Sequence, residues 1–380
     1  MTNLPNNTTN QIDKQSLEYV IKSGLSGGLA GISAKTLIAP LDRVKILFQT
    51  NNPHYSHLSG SFKGMIQTIK LIYKDSGFKG LYQGHSATLL RIFPYAAIKF
   101  VCYEQIRTIL IPKDEFETTY RRLLAGSLAG IISVSFTYPL DLIRVRLAFE
   151  IHNNHNKNKN NHHKVTGGRL VHILKTIYNE NPRFKFNTGG YLINNGKSSI
   201  NNIIYNSIIH NNIHFIQSIS NFYRGFLPTI LGMIPYAGVS FYTHDLIHDI
   251  FRSPKFANYT IKKQQPNKSS TKISKTKSSS SFDTRLPLNT WAQLIAGGMA
   301  GMLAQASAYP FEVIRRRMQV GGVVNNGGEF FSIAYTAMII YSEKGWRGFY
   351  VGLGIGFIKI VPMFACSFYV YERSKKFLRI

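Results

Sequence analysis

Three times the chain sets a carboxylate and a base three residues apart behind a proline: "PLDRVK" (40–45), "PLDLIR" (139–144) and "PFEVIR" (310–315). On a helix, that spacing puts both charges on one face. Each block follows a run of small and apolar residues: "GLSGGLAGISAKTLIAP", "LAGSLAGIISVSFTYP" and "IAGGMAGMLAQASAYP". Charges in such surroundings need partners, and acids and bases repeated in register can pair between helices. One copy reads as an ordinary surface pair; three copies in one context do not. A second set closes three later apolar segments: "YEQIR" (103–107), "HDLIH" (244–248) and "YERSK" (371–375). In its middle member His244 replaces the aromatic residue and His248 the base.

The elements that would position these charges also repeat. After each proline block comes an amphipathic stretch, then an aromatic-x-Gly: "LYQG" (81–84), "FYRG" (222–225) and "FYVG" (349–352). A second apolar segment with its own proline follows, at Pro94, Pro235 and Pro362. Small residues four apart (Gly24/Gly28, Gly126/Gly130, Gly297/Gly301) predict close approach of helix backbones. The boundaries read as an N-terminal tail 1–17, repeat one 18–110, repeat two 120–252, a Ser/Lys-rich linker 253–286 and repeat three 287–380. Repeat two carries an Asn-rich insert at about 181–221, predicted as loop by its composition.

Six segments of about 20–28 residues can cross a hydrocarbon core of about 30 Å. Each also carries charge, which argues against lipid on all sides and for a shared polar interior. Across 380 residues, 45 Lys and Arg face 18 Asp and Glu, a formal charge of +27 that predicts an anionic partner. Cys102 and Cys366 give no disulfide framework, and the tract "HNNHNKNKNNHH" (152–163) has no carboxylate support for a metal. No metal site and no enzyme activity is expected. Residues 1–17 show neither a secretory signal nor an Arg-rich amphipathic transit peptide, so any organelle address is expected within the body.

Pro-x-acid-x-x-base three times, each with its aromatic-x-Gly, resembles the mitochondrial carrier family over about residues 18–378. The resemblance implies an all-α membrane protein. Its six transmembrane helices form three tandem pseudo-symmetric repeats around a central cavity, with short matrix helices. It further implies the mitochondrial inner membrane, both termini in the intermembrane space, a monomer, and cardiolipin as a structural lipid. A matrix gate of Asp42–Arg144, Asp141–Arg315 and Glu312–Lys45 is implied, with Gln49 and Gln319 as braces and Ala148 unable to brace. A cytoplasmic gate would pair Glu104–His248, Asp245–Lys375 and Glu372–Arg107, weaker at neutral pH because His248 is mostly uncharged there.

Thirteen residues before each closing acid stand Arg91, Gly232 and Lys359, about 20 Å below the outer gate. Lys35, five before its block proline, adds a cation, and Lys99 offers another. Desolvated cations suit phosphate, while Gly232, Met233 and Tyr236 offer a ring a flat contact. Helix packing for Tyr236 and a snorkelling surface position for Lys99 are the plainer readings of those two side chains. Within the family, such a midpoint resembles carriers of adenine nucleotides, and the chain as a whole the fungal coenzyme A carriers and the related Graves-disease carrier. Coenzyme A transport is therefore expected, with an ATP-Mg/phosphate or ADP/ATP-type exchanger as the alternative. Against the latter, "RRRMQV" (315–320) departs from an "RRRMMM" run; against the former, no EF-hand precedes the repeats. A basic nucleic-acid-binding protein would cluster its charges on an exposed face instead.

Overall fold

The computed structural model describes residues 17–112, 118–150, 169–180, 218–254, 256–260, 288–324 and 332–378. These are mostly helical, and no β-strand occurs among them. The helices are α1 (Leu17–Gln49), α2 (Phe62–Leu81), α3 (His85–Leu110), α4 (Thr119–Phe149), α5 (Arg169–Asn179), α6 (Phe226–Arg252), α7 (Ala257–Thr260), α8 (Thr290–Val324), α9 (Ile333–Lys344), α10 (Leu353–Ile358) and α11 (Ile360–Phe377). By length and composition, Leu124–Phe149 and Ile333–Phe377 are apolar enough to cross a membrane. The histidine tract 152–163 and most of the Asn-rich insert lie outside the described residues.

The chain forms two compact units, one of Met1–Thr229 with Glu312–Ile380, the other of Ile230–Phe311. In the first, α3 packs along α4, and the C-terminal α11 returns to pack along α1. The proline-block ends of α1, α4 and α8 meet in an apolar cluster of Ile46, Val145, Ala148, Phe149 and Val320. Ala148 stands at the register of Gln49 and Gln319, and its methyl completes that cluster. A second cluster joins α1 to α2 through Val44, Leu47, Phe48, Met65 and Ile72.

Prolines lie inside five long helices, at Pro40, Pro94, Pro139, Pro235 and Pro310. The sixth behaves differently. Pro362 has no N–H for the Ile358 carbonyl. The helix divides there, α10 ending at Ile358 and α11 starting at Ile360, with Lys359 at the joint.

The aromatic-x-Gly turns end in left-handed glycines, Gly84 at φ 87° and Gly225 at φ 80°. A Cβ on Gly84 would lie 2.9 Å from the Arg144 carbonyl oxygen, and one on Gly225 3.0 Å from that of Arg315. These two turns thus dock against the basic end of the next repeat's opening helix, which only glycine permits. The small-residue runs differ from expectation. Gly24, Gly126, Gly130, Gly297 and Gly301 have open space where a Cβ would stand, and only Gly28 meets a side chain, Phe93. At Gly84 and Gly225, unlike in these runs, φ and a carbonyl both demand glycine.

In the second unit, the Ser307 hydroxyl of α8 donates to the Pro235 carbonyl of α6 at 3.3 Å. The linker leaves and re-enters at one clasp. Asn289 N–H donates to the Thr260 carbonyl at 2.6 Å, and the Asn289 amide to the Tyr259 carbonyl at 2.8 Å.

Candidate functional site

The convergence of α1, α4 and α8 brings acids and bases of different helices together. Asp42 accepts from Arg144 Nη2 at 3.0 Å, Glu312 accepts from Lys45 Nζ at 2.8 Å, and Asp141 accepts from Arg315 Nη2. Gln319 donates to Asp141 at 3.2 Å and to the Tyr138 hydroxyl at 3.1 Å. The Gln49 side chain hydrogen-bonds the Glu312 carboxylate. Arg316 Nη1 reaches Asp141 at 3.3 Å and Gln319 Oε1 at 3.0 Å. Tyr138, just before its block proline, donates to the Arg224 carbonyl at 2.6 Å and carries the Arg315 guanidinium 5.4 Å above its ring.

The midpoint cations join the same network. Arg91 Nη1 donates to Asp141 Oδ1 at 2.5 Å, and Lys359 Nζ to Asp42 Oδ1 at 2.8 Å. Lys35 Nζ contacts Met363 Sδ at 3.8 Å and lies in the electrostatic reach of Asp42 and Lys359. Seven basic side chains (Lys35, Lys45, Arg91, Arg144, Arg315, Arg316, Lys359) therefore share three carboxylates, an excess of four positive charges in a partly desolvated cluster. Such an arrangement can bind a multiply charged anion in exchange for the carboxylates.

Gly232, Met233 and Tyr236 belong to the second unit. There a Cβ on Gly232 would stand 3.1 Å from Phe311 Cβ, and Tyr236 is half exposed. At the opposite helix ends Glu104, Asp245 and Glu372 are exposed. Asp245 lies 3.7 Å from His244 Nδ1, whose ring stacks on His248 at 4.1 Å between centroids. Lys375 rests over the Tyr371 ring at 5.1 Å, and Arg107 is partly buried.

Sequence reasoning missed a second ionic layer. Seven residues after the block prolines come Leu47, Arg146 and Arg317, and the amphipathic helices end in "IYKD" (72–75), "IYNE" (177–180) and "IYSE" (340–343). Glu180 takes both terminal nitrogens of Arg146, and Arg224 Nη1 reaches Oε2, which also accepts from Arg146 Nη2, at 2.7 Å. Asn221, fully buried at the end of the insert, donates to the Glu180 carbonyl at 2.7 Å and accepts from Arg224 at 3.0 Å. Burial pushes Arg224 down to about 10, against the pull of Glu180. Arg317 pairs with Glu343 at 2.7 Å. The repeated Ile-Tyr-x-acid was the signal that could have found this layer.

A separate cleft of about 820 Å³ is lined by Phe62 and Met65 on one side and Lys344, Trp346, Arg347 and Ile355 on the other.

The profile described as "Mitochondrial carrier protein" matches residues 17–114, 116–210, 215–255 and 286–380. "Mitochondrial carrier protein LEU5" of Saccharomyces cerevisiae is 50% identical over 374 residues, covering 97% of this chain and 94% of that one. "Solute carrier family 25 member 16" of Bos taurus is 37% identical, covering 95% and 90%. "Mitochondrial coenzyme A transporter SLC25A42" of Xenopus laevis is 32% identical, covering 95% and 86%.

Proposed function

The chain belongs to the mitochondrial carrier family, and on that premise we propose that it moves coenzyme A, or a closely related adenine nucleotide, across the mitochondrial inner membrane by alternating access. It is a transporter and not an enzyme. The observation that carries the substrate reading is the excess of cations at the convergence of α1, α4 and α8. Two of them, Arg91 and Lys359, are bound to Asp141 and Asp42, carboxylates that also hold Arg315 and Arg144. A diphosphate entering the cluster offers Arg91 and Lys359 new oxygens in place of those carboxylates. The exchange swaps one anionic acceptor for another, so neither cation is left unpaired in a low dielectric. Asp42 and Asp141 each lose a donor, and the ring of pairs that closes this end weakens as the substrate binds. Binding and opening are then one event, which is how a ligand shifts a two-state equilibrium.

Closing the other end falls to Glu104, Arg107, Asp245, His248, Glu372 and Lys375, with His248 its weakest member at neutral pH. In the second unit, Gly232 and Met233 supply an apolar surface and Tyr236 an exposed ring face on which a flat base can stack. The relative named as a coenzyme A transporter supports this substrate choice. The same reading has the chain acting as a monomer with both termini in the intermembrane space. Cardiolipin would stand in the cleft beside Lys344 and Arg347, whose charges suit a lipid phosphate above apolar Met65 and Ile355.

Liposomes bearing the purified protein test the proposal with labelled coenzyme A and ADP. Coenzyme A uptake is expected, and Arg91→Ala or Lys359→Ala is expected to reduce it at least tenfold in protein that still unfolds cooperatively. Full uptake in either variant overturns the site. Uptake of ADP alone points to the exchanger reading, and uptake of neither removes both.

A further inference from the structure

The repeats break their symmetry again above the midpoint. Four residues on from Arg91, Gly232 and Lys359 stand Tyr95, Tyr236 and Met363; eight residues on stand Lys99, Ser240 and Ser367. Only repeat one carries a cation at the last of these positions. Along α3, Lys99 lies about 12 Å from Arg91 and about 80° round the helix, while Phe100 lies about 180° round. Arg91 points to Asp141, which is 2% exposed, whereas Phe100 on the opposite face is 68% exposed. Lys99, itself exposed, stands between these faces, about 80° round from Arg91 and about 100° from Phe100.

Its contact draws the ammonium toward the Arg91 side. The Tyr95 ring stands between the two cations, with Arg91 Cζ 5.5 Å and Lys99 Nζ 6.0 Å from its centroid. A lysine snorkelling outward would carry its ammonium away from this face. Here the ammonium leans back over the ring. The two cations also differ in what they hold. Arg91 is committed to a carboxylate, while the Lys99 ammonium rests on a ring face, which satisfies a cation only weakly. A positive charge so placed is poised for an anion that the Asp42 and Asp141 cluster does not already hold.

We propose that Lys99, oriented by Tyr95, is a subsite for a phosphomonoester of the substrate, separate from the diphosphate held at Arg91 and Lys359. The inference rests on the transport function proposed above and narrows it. A nucleotide carrying phosphate at two points of one ribose can span the two cations, since both long side chains can lean toward each other across the 12 Å rise of about two helical turns. A nucleotide with the diphosphate alone leaves Lys99 without its anion. The site therefore distinguishes coenzyme A from dephospho-coenzyme A, which differ by that one group.

The test uses the full chain, purified in detergent for ligand-dependent thermal unfolding and reconstituted for uptake, with both ligands titrated. Wild-type protein is expected to half-saturate at about tenfold lower coenzyme A than dephospho-coenzyme A. In Lys99→Ala that ratio falls to near one, and Lys99→Arg restores most of it. Tyr95→Leu, which removes only the positioning ring, is expected to shrink the ratio with little change in maximal uptake. A Lys99→Ala ratio equal to wild type, or a wild-type ratio of one, overturns the subsite while leaving the carrier reading intact. If neither ligand stabilises the wild-type protein, the carrier reading fails first, and the subsite with it.

Discussion

Two oxygens of Asp141 receive Arg91, Arg315, Arg316 and Gln319, whereas Glu312 has Lys45 and Gln49. Removing one partner of a buried pair costs about 3–5 kcal/mol, chiefly by leaving the other charge stranded. Asp141→Asn strands three guanidiniums at once and Glu312→Gln one ammonium. Thermal unfolding of the purified variants is expected to show the larger loss for Asp141→Asn; equal losses would mean that the arginines find water or one another. That each acid shares a helical face with its base was legible in the Pro-x-acid-x-x-base spacing, and their pairing across helices was legible only through the family resemblance. The further reach of Arg91 to Asp141 and of Lys359 to Asp42 was not. Those contacts depend on side-chain rotamers and on how far apart two helices stand, and residue spacing records neither.

Among the elements, the left-handed turns make a sharper claim than the glycine-rich helical runs. Gly84→Ala costs about 1–2 kcal/mol for its backbone conformation alone, and its Cβ would also crowd the Arg144 carbonyl. Gly126→Ala enters open space in a helix interior, where alanine is favoured by about 1 kcal/mol. Melting temperatures of the two variants should therefore move in opposite directions, and a fall in both would mean that Gly126 packs against a neighbour. Repeated motifs made the helix order readable. They could not show the division of the last helix at Lys359, since Pro235 and Pro94 stand at the same register without a break. The Arg146–Glu180–Arg224 triad escaped notice for another reason. Its acid lies 34 residues from Arg146 and 44 from Arg224, and one end of it borders a segment read as an insert.

Over the whole molecule, the stretches that depart from the repeat plan are fastened at their roots. Because Asn289 clasps Thr260 and Tyr259, the chain between them closes a loop whose ends are already fixed. Replacing residues 264–284 with a short Gly-Ser segment is expected to leave melting temperature and uptake unchanged, since loop length alters closure entropy only slowly. A large loss in either would assign those residues a role of their own. Composition marked those stretches as loop and linker, but it could not mark Asn221 as a buried anchor at the edge of one. The layer behind the ionic ring also differs among the three repeats. In repeat one Leu47 takes the place of the base and joins an apolar cluster with Ile72, while the acid position, Asp75, lies 4.0 Å from His54 instead; repeat two has the nearly buried Arg146–Glu180 pair, and repeat three Arg317–Glu343, the latter carboxylate 36% exposed. Electrolyte screens exposed charges strongly, buried ones weakly and hydrocarbon not at all. As ionic strength rises, the third joint is expected to slacken first, the second later, and the first to stay tight, giving the molecule a built-in order of loosening that its repeated motifs conceal.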